Sequence, residues 1–209
     1  MYTIYNEETN RIEEVEEPDH SLTYTYADYS QWKFLERLEL LRGRIFRLAS
    51  PSIKHQRICL KLAAHLYTFL RGKTCQVIIP PYDIRLPVRN RVRDDKADDE
   101  VTTVVQPDLS VFCDPIKVED RAAIGAPDLI VEVLSPGNSR YDLHDKYDIY
   151  QEAGVKEYWI VDPVKASVQV SLLMEEGRFG PAAVHTGEQW LQPRSLPGFS
   201  IAVKDLFTP

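Results

Sequence analysis

The chain has no run of about 18 apolar residues, so it offers no candidate transmembrane helix. It has neither GxGxxG nor GxxxxGK(S/T). That removes the usual phosphate-cradling loops and, with them, a doubly wound nucleotide-binding fold. Cysteine is scarce: Cys59, Cys75 and Cys113 are odd in number and form no CxxC pair. They read as reduced, mostly buried thiols of a cytoplasmic protein rather than as a zinc site. The opening MYTIYNEETN has neither the basic region nor the apolar core of a signal peptide. No internal repeat and no low-complexity segment is present. What is there is ordinary for a globular chain: 209 residues, 44% hydrophobic and 27% charged, enough for one well-buried domain.

The net charge of -7 argues at first against a nucleic-acid partner, but its distribution weakens that objection. Residues 1–20 hold seven acids and one base. Residues 33–73 hold ten bases against only Glu36 and Glu39. The segment DDKADDE at 94–100 is acidic again. A basic span of this size suits either phosphate contact or a solvated helix face. The expected organisation is an acidic N-terminal extension over 1–26 followed by a single domain over 27–209.

Apolar spacing predicts a helix over 27–41, capped by Ser30 and carrying Trp32, Leu35, Leu38 and Leu41 on one face. A short strand is expected over 43–49. A second helix over about 53–71 follows Ser50-Pro51-Ser52, with Ile58, Leu62, Leu66 and Phe69 as its stripe. Residues 75–86 read as a strand broken at Pro80-Pro81, 87–103 as a polar loop, and 104–113 as one strand. Residues 128–134 are apolar on both faces apart from Asp128 and Glu132, as a central strand should be. A turn at 135–140, a third helix over 141–153, strands over 155–161 and 167–173, and short C-terminal strands complete the pattern. The class is α/β: a mixed sheet between helices.

Two carboxylates stand out. Side chains of equal parity on a strand share a face, so Asp108 lies with Ser110 and Phe112, and Glu132 with Asp128 and Ile130. If the two strands pair antiparallel, Asp108 and Glu132 come within about 5–8 Å, close enough to share a cation. Asp128 is the rival partner, but four residues along a strand is roughly 13 Å, too far for one ion to bridge. It is expected to cap the loop or bond its backbone. Burying Glu132 in an apolar strand costs several kcal/mol, of order 5, without a cation, a proton or donors. A buried Arg partner or a protonated Glu would also meet that need. Lys146 lies four residues from both Asp142 and Tyr150 on the third helix. Spacing alone favours a surface Asp142–Lys146 ion pair. His55 faces the side of Ile58 and Leu62, where a lone histidine is most often a satisfied core residue. Ser135 either caps its turn or donates to Glu132. A carboxylate-pair hydrolase acting on sugars is a weaker alternative, since it needs aromatic platforms and no lysine.

Several segments together resemble a known family: Gln106-Pro107-Asp108, the run from Gly125 through Pro136, then Asp142, Lys146, Tyr150, Gly154 through Pro163, and Leu196-Pro197-Gly198 through Phe207. They look like the PD-(D/E)XK nuclease superfamily and, within it, the Uma2 family, over about residues 30–207. The resemblance implies a restriction-endonuclease-like core with extra C-terminal strands. It implies a Mg²⁺ or Mn²⁺ cofactor on Asp108 and Glu132, and nucleic acid, DNA foremost, as partner. A homodimer fits, since many nucleases of this kind pair to cut two strands. Lys146 becomes the lysine displaced from strand to helix, because Leu134 occupies the usual E-x-K position. His55, Asp142 and Ser135 become supporting residues, His55 matching a family histidine at the site's edge. The missing E-x-K leaves a second expectation standing: a catalytically inactive nuclease-fold module for binding or assembly.

Overall fold

The computed structural model describes residues 2–86, 100–135 and 140–208, the side chains of 140–143 excepted. Its centre is a six-stranded mixed sheet, ordered β13-β12-β11-β10-β8-β5. These strands are β5 (Gln76–Ile78), β8 (Leu109–Phe112), β10 (Leu129–Val133), β11 (Glu157–Asp162), β12 (Ser167–Leu172) and β13 (Ala183–Thr186). Only β10 and β11 run parallel; the other neighbours are antiparallel. The parallel pair needs a crossover, and helix α3 (Arg140–Ala153) supplies it. All five residues of β10 are buried, as its two-sided apolar run requires.

Strand parity then divides the core. Leu129, Val131 and Val133 pack against helix α2 (Ile53–Leu70) through Ile58, Leu62, Leu66 and Leu70. Helix α4 (Val203–Phe207) adds Val203 and Leu206 to that layer. Ile130 points the other way, toward Ile149 and Tyr150 of α3. Beyond it stands a second sheet of β4 (Arg44–Arg47), β3 (Leu38–Leu41), β7 (Val104–Val105), β6 (Asp83–Arg85) and β9 (Ala122–Ile124), in that order. Glu132 shares the parity of Ile130, so it faces α3 and the second sheet.

Helix α2 begins at Ser52, whose hydroxyl accepts from the His55 backbone N–H. The helix expected over 27–41 is replaced by one turn, α1 (Tyr26–Tyr29), and the strand β3. Thr25, not Ser30, is the N-cap, in a capping box with Asp28. The three-residue spacing of the apolar groups misleads here, because Leu38 through Leu41 are buried on both faces between β4 and β7 while Leu35 stays exposed. Arg42 and Gly43 join β3 to β4 with positive φ at both positions, the geometry of a tight hairpin turn.

The expected strand over 104–113 divides into β7 and β8, which lie in different sheets. Pro107 sits at the break and has no N–H for a ladder. Residues 75–86 divide likewise into β5 and β6, at Pro80-Pro81. Among the short C-terminal strands expected, β15 (Ile201–Ala202) pairs with β14 (Trp190–Leu191) and runs directly into α4. Residues 2–15 form a hairpin of β1 (Tyr2–Asn6) and β2 (Arg11–Val15), and Tyr2 is buried against the second sheet's apolar cluster. Most of the expected loop over 87–103 and of the turn over 135–140 lies outside the described residues.

The thiol reading needs correction. Cys75 and Cys113 form a disulfide, and only Cys59 is free. The pairing follows from register: Gln76 opposes Phe112, so the next residues outward oppose each other. No helix among the described residues is long and apolar enough to cross a membrane.

Candidate active site

The β8–β10 register pairs Val111 with Leu129, Ser110 with Ile130, and Leu109 with Val131. One step further sets Asp108 opposite Glu132, at the end of the sheet. Asp108 Oδ2 accepts from the Val133 backbone N–H at 2.8 Å and lies 3.0 Å from His55 Nε2. Because Asp108 stands one residue ahead of β8, His55 reaches it from the α2 layer, around the sheet's end. The backbone bond and the imidazole together fix the carboxylate.

Glu132 is held from the opposite side. Its Oε1 accepts from Lys146 Nζ at 2.9 Å and from the Tyr150 hydroxyl at 2.7 Å. Lys146 and Tyr150 are one helical turn apart on α3, so both reach the same oxygen. Lys146 is buried, and its second partner is Glu39 Oε1 at 3.0 Å. Glu39 also accepts from the Gln106 backbone N–H at 2.7 Å. Lys146 is thus not a surface residue but a buried ammonium between two carboxylates; the side chain of Asp142 lies outside the described residues. Among the described residues, every hydrogen bond to Asp108 falls on Oδ2 and every one to Glu132 falls on Oε1. Among the described residues, Asp108 Oδ1 and Glu132 Oε2 accept none.

This chemistry opens into a cavity of about 110 Å³, lined by Arg37, Glu39, Arg47, His55, Gln106, Asp108, Glu132, Ser135 and Lys146 among others. Burial pushes the Glu132 carboxyl up to about 7, with Asp108 and Glu39 adding to the rise and Lys146 opposing it. Lys146 moves up from the ordinary lysine value: Glu132 and Glu39 outweigh the desolvation that would lower it. It therefore carries its proton at neutral pH. Burial, reinforced by Glu132, raises the Tyr150 hydroxyl, which stays a donor.

Asp128 stands apart. Its Oδ2 accepts from the Cys113 backbone N–H at 2.7 Å and its Oδ1 from Lys156 Nζ at 2.6 Å, at the far end of β10. Glu39 is the residue that sequence reasoning missed. Its signal is in the chain: Leu38-Glu39-Leu40-Leu41 places an acid inside an apolar run, as Val131-Glu132-Val133 does, but within a stretch whose spacing predicts a helix.

The family model of Uma2, described as "Putative restriction endonuclease", matches residues 26–204. The chain belongs to the Uma2 family. A crystal structure of "a putative nuclease belonging to DUF820" from Anabaena variabilis ATCC 29413 has the same fold, with TM-score 0.71 and 18% identity over 88% of this chain and 97% of that one. Two uncharacterized Synechocystis sp. (strain ATCC 27184 / PCC 6803 / Kazusa) proteins are also similar. The protein slr1290 is 28% identical over 148 residues, covering 69% of this chain and 70% of its own. The protein sll1609 is 26% identical over 143 residues, covering 66% and 74%. The restriction-endonuclease-like, mixed α/β architecture expected from the Uma2 motifs is the one observed.

Proposed function

We propose that this Uma2 protein is a divalent-cation-dependent endonuclease that hydrolyses phosphodiester bonds in DNA. The observation that carries the reading is the buried Lys146 ammonium on Glu132, with Asp108 in register across the strand pair. The residues fit a hard cation: Asp108 Oδ1 and Glu132 Oε2 are all-oxygen donors left over when the other oxygens are taken, and such donors suit Mg²⁺ or Mn²⁺. A bound ion would supply a water nucleophile at neutral pH and offset charge on the phosphate.

The chain's own residues do the rest. Lys146 commits two of its three ammonium protons to Glu132 and Glu39 and directs the third at a water or a scissile phosphate oxygen. His55 and the Val133 N–H keep Asp108 from rotating. Tyr150 keeps Glu132 Oε1 occupied, so its other oxygen faces the cavity. Arg37 and Arg47 line the same cavity and meet the phosphate backbone without reading sequence. Cutting both strands of a duplex brings two such sites together, in a homodimer.

The test is cleavage of supercoiled plasmid and of single-stranded DNA with Mg²⁺ or Mn²⁺, against an EDTA control. Asp108→Ala, Glu132→Ala and Lys146→Ala should each lower the rate by about 10²–10³. Wild-type rates from Asp108→Ala and Lys146→Ala would refute the assignment. Leu134 in the E-x-K position favours a second reading, an inactive nuclease-fold module that binds or assembles. Calorimetric titration with Mn²⁺ separates the two: binding that does not depend on Glu132 favours the module.

A further inference from the structure

Cys59 takes no part in the reading above, yet it borders the site. It lies one helical turn after His55 on α2, and its Sγ is 3.5 Å from His55 Nδ1. His55 Nε2 is 3.0 Å from Asp108 Oδ2. One nitrogen, one sulfur and one carboxylate oxygen, drawn from His55, Cys59 and Asp108, all lie within 4.8 Å of one another. His55 is buried, while Cys59 and Asp108 are half-buried, and His55 and Asp108 line the cavity.

We propose that His55, Cys59 and Asp108 form a binding site for a thiophilic divalent cation of the Zn²⁺ class, beside the Asp108–Glu132 pair. The donor set decides the class. Mg²⁺ is served by oxygen and gains nothing from sulfur, whereas a mixed N, S, O set is that of Zn²⁺. Bonds of about 2.0–2.3 Å in a tetrahedron hold donors about 3.3–3.7 Å apart; Cys59 and Asp108 now face opposite ring nitrogens of His55, so an ion on one nitrogen needs the donor at the other to swing toward it and the 4.8 Å span of the set to contract by about 1 Å. Cys59 binds as thiolate, and the fourth position opens to the cavity. Asp108 belongs to both sites. An ion on His55 and Cys59 would take Asp108 through Oδ2 and draw the carboxylate off the Val133 N–H that fixes it, so that Oδ1 turns from Glu132 and Zn²⁺ inhibits. This inhibitory consequence rests on the nuclease reading; the binding does not.

Co²⁺ added to the metal-free full chain is the probe. One equivalent should give a thiolate-to-cobalt charge-transfer band with tetrahedral visible bands. One equivalent of Zn²⁺ should abolish it, and an excess of Mg²⁺ should not. Cys59→Ala should lose the band and bind Zn²⁺ about tenfold or more weaker, with an unchanged thermal melt reporting its fold. Absence of the band from the wild-type chain overturns the proposal on its own, whatever the variant does, and so does its persistence in Cys59→Ala. In a separate arm, Zn²⁺ should suppress Mg²⁺-supported plasmid cleavage by wild type and not by Cys59→Ala. No cleavage by wild type at all refutes the nuclease reading and leaves the cobalt result to stand. Equal Zn²⁺ inhibition of both proteins overturns the sharing of Asp108.

Discussion

Replacing Lys146 with Met tests the central network. Met keeps an unbranched stem and removes the charge. Lys146, Glu132 and Glu39 are 8%, 4% and 1% exposed, so water cannot replace the ammonium. Two buried carboxylates then lose their cation, and breaking such a pair costs roughly 3–5 kcal/mol. For a chain of this size about 1 kcal/mol shifts the melting temperature by about 2–4 °C, so a drop of roughly 6–20 °C is expected. The sign with pH follows from Glu132, which burial already raises to about 7. A carboxyl raised in the folded state holds its proton more tightly than in the unfolded chain. Its contribution is therefore favourable below the unfolded value and is lost as pH rises through the folded one. Without Lys146 the folded value climbs further, so the variant keeps losing stability above about pH 7 where wild type levels off. Urea denaturation in EDTA at pH 5.5 and pH 8.5 should show the smaller deficit at the acidic pH. Glu39→Gln added to Lys146→Met removes one stranded charge and should recover about 1–2 kcal/mol at pH 8.5. A Lys146→Met deficit below about 1 kcal/mol, equal at both pH values, would refute the buried network.

Gly43→Ala should cost about 1–3 kcal/mol by the same urea measurement, because φ is +80° and a Cβ there would clash with Thr23 Cγ2. A change under about 0.5 kcal/mol would contradict the β3–β4 turn. Leu62→Ala, at a fully buried position of α2 against the central sheet, should cost about 2–5 kcal/mol without altering metal binding at the sheet's end. Loss of Mn²⁺ affinity in a folded Leu62→Ala protein would show that the two regions are coupled.

The parts of the fold that periodicity could reach are those whose neighbours are local or whose burial is two-sided. Helix α2 satisfies its own backbone and needs only one apolar stripe, so Ser52, Ile58, Leu62 and Leu66 announce it. Strand β10 is apolar on both faces, so its central place could be read from seven residues. Strand β3 could not. Its four buried residues depend on β4, on β7 some sixty residues away, and on Lys146, and nothing in residues 27–41 encodes those partners. The same non-local pairing hid the break between β7 and β8 and the Cys75–Cys113 bond. Of the candidate site, the placement of Asp108 opposite Glu132 was legible because parity and register are rules of strands. Lys146 came from the Uma2 resemblance, since spacing alone pointed to Asp142. Glu39 went unread because an acid in an apolar run means something different on a helix and on a strand.

The location of Lys146 follows from the shape of the site. Leu134 lies past the end of β10, its N–H bonded to the Val161 carbonyl, so a lysine there would leave from the sheet's end. Lys146 comes instead from α3, across the face of the sheet that Glu132 occupies. A lysine arriving through that layer is desolvated along its length and needs more than one counter-charge. Glu132 alone would leave it competing with a metal ion for the same carboxylate. Glu39, delivered by the second sheet, removes that competition by giving the ammonium a partner outside the Asp108–Glu132 pair. With two carboxylates on it, Lys146 holds its proton, so in the proposed reaction it would serve as a donor toward developing phosphate charge, not as the base that takes a proton from water. The helix-borne Lys146 and the buried Glu39 are therefore one feature. Each makes the other affordable in a layer from which water is excluded.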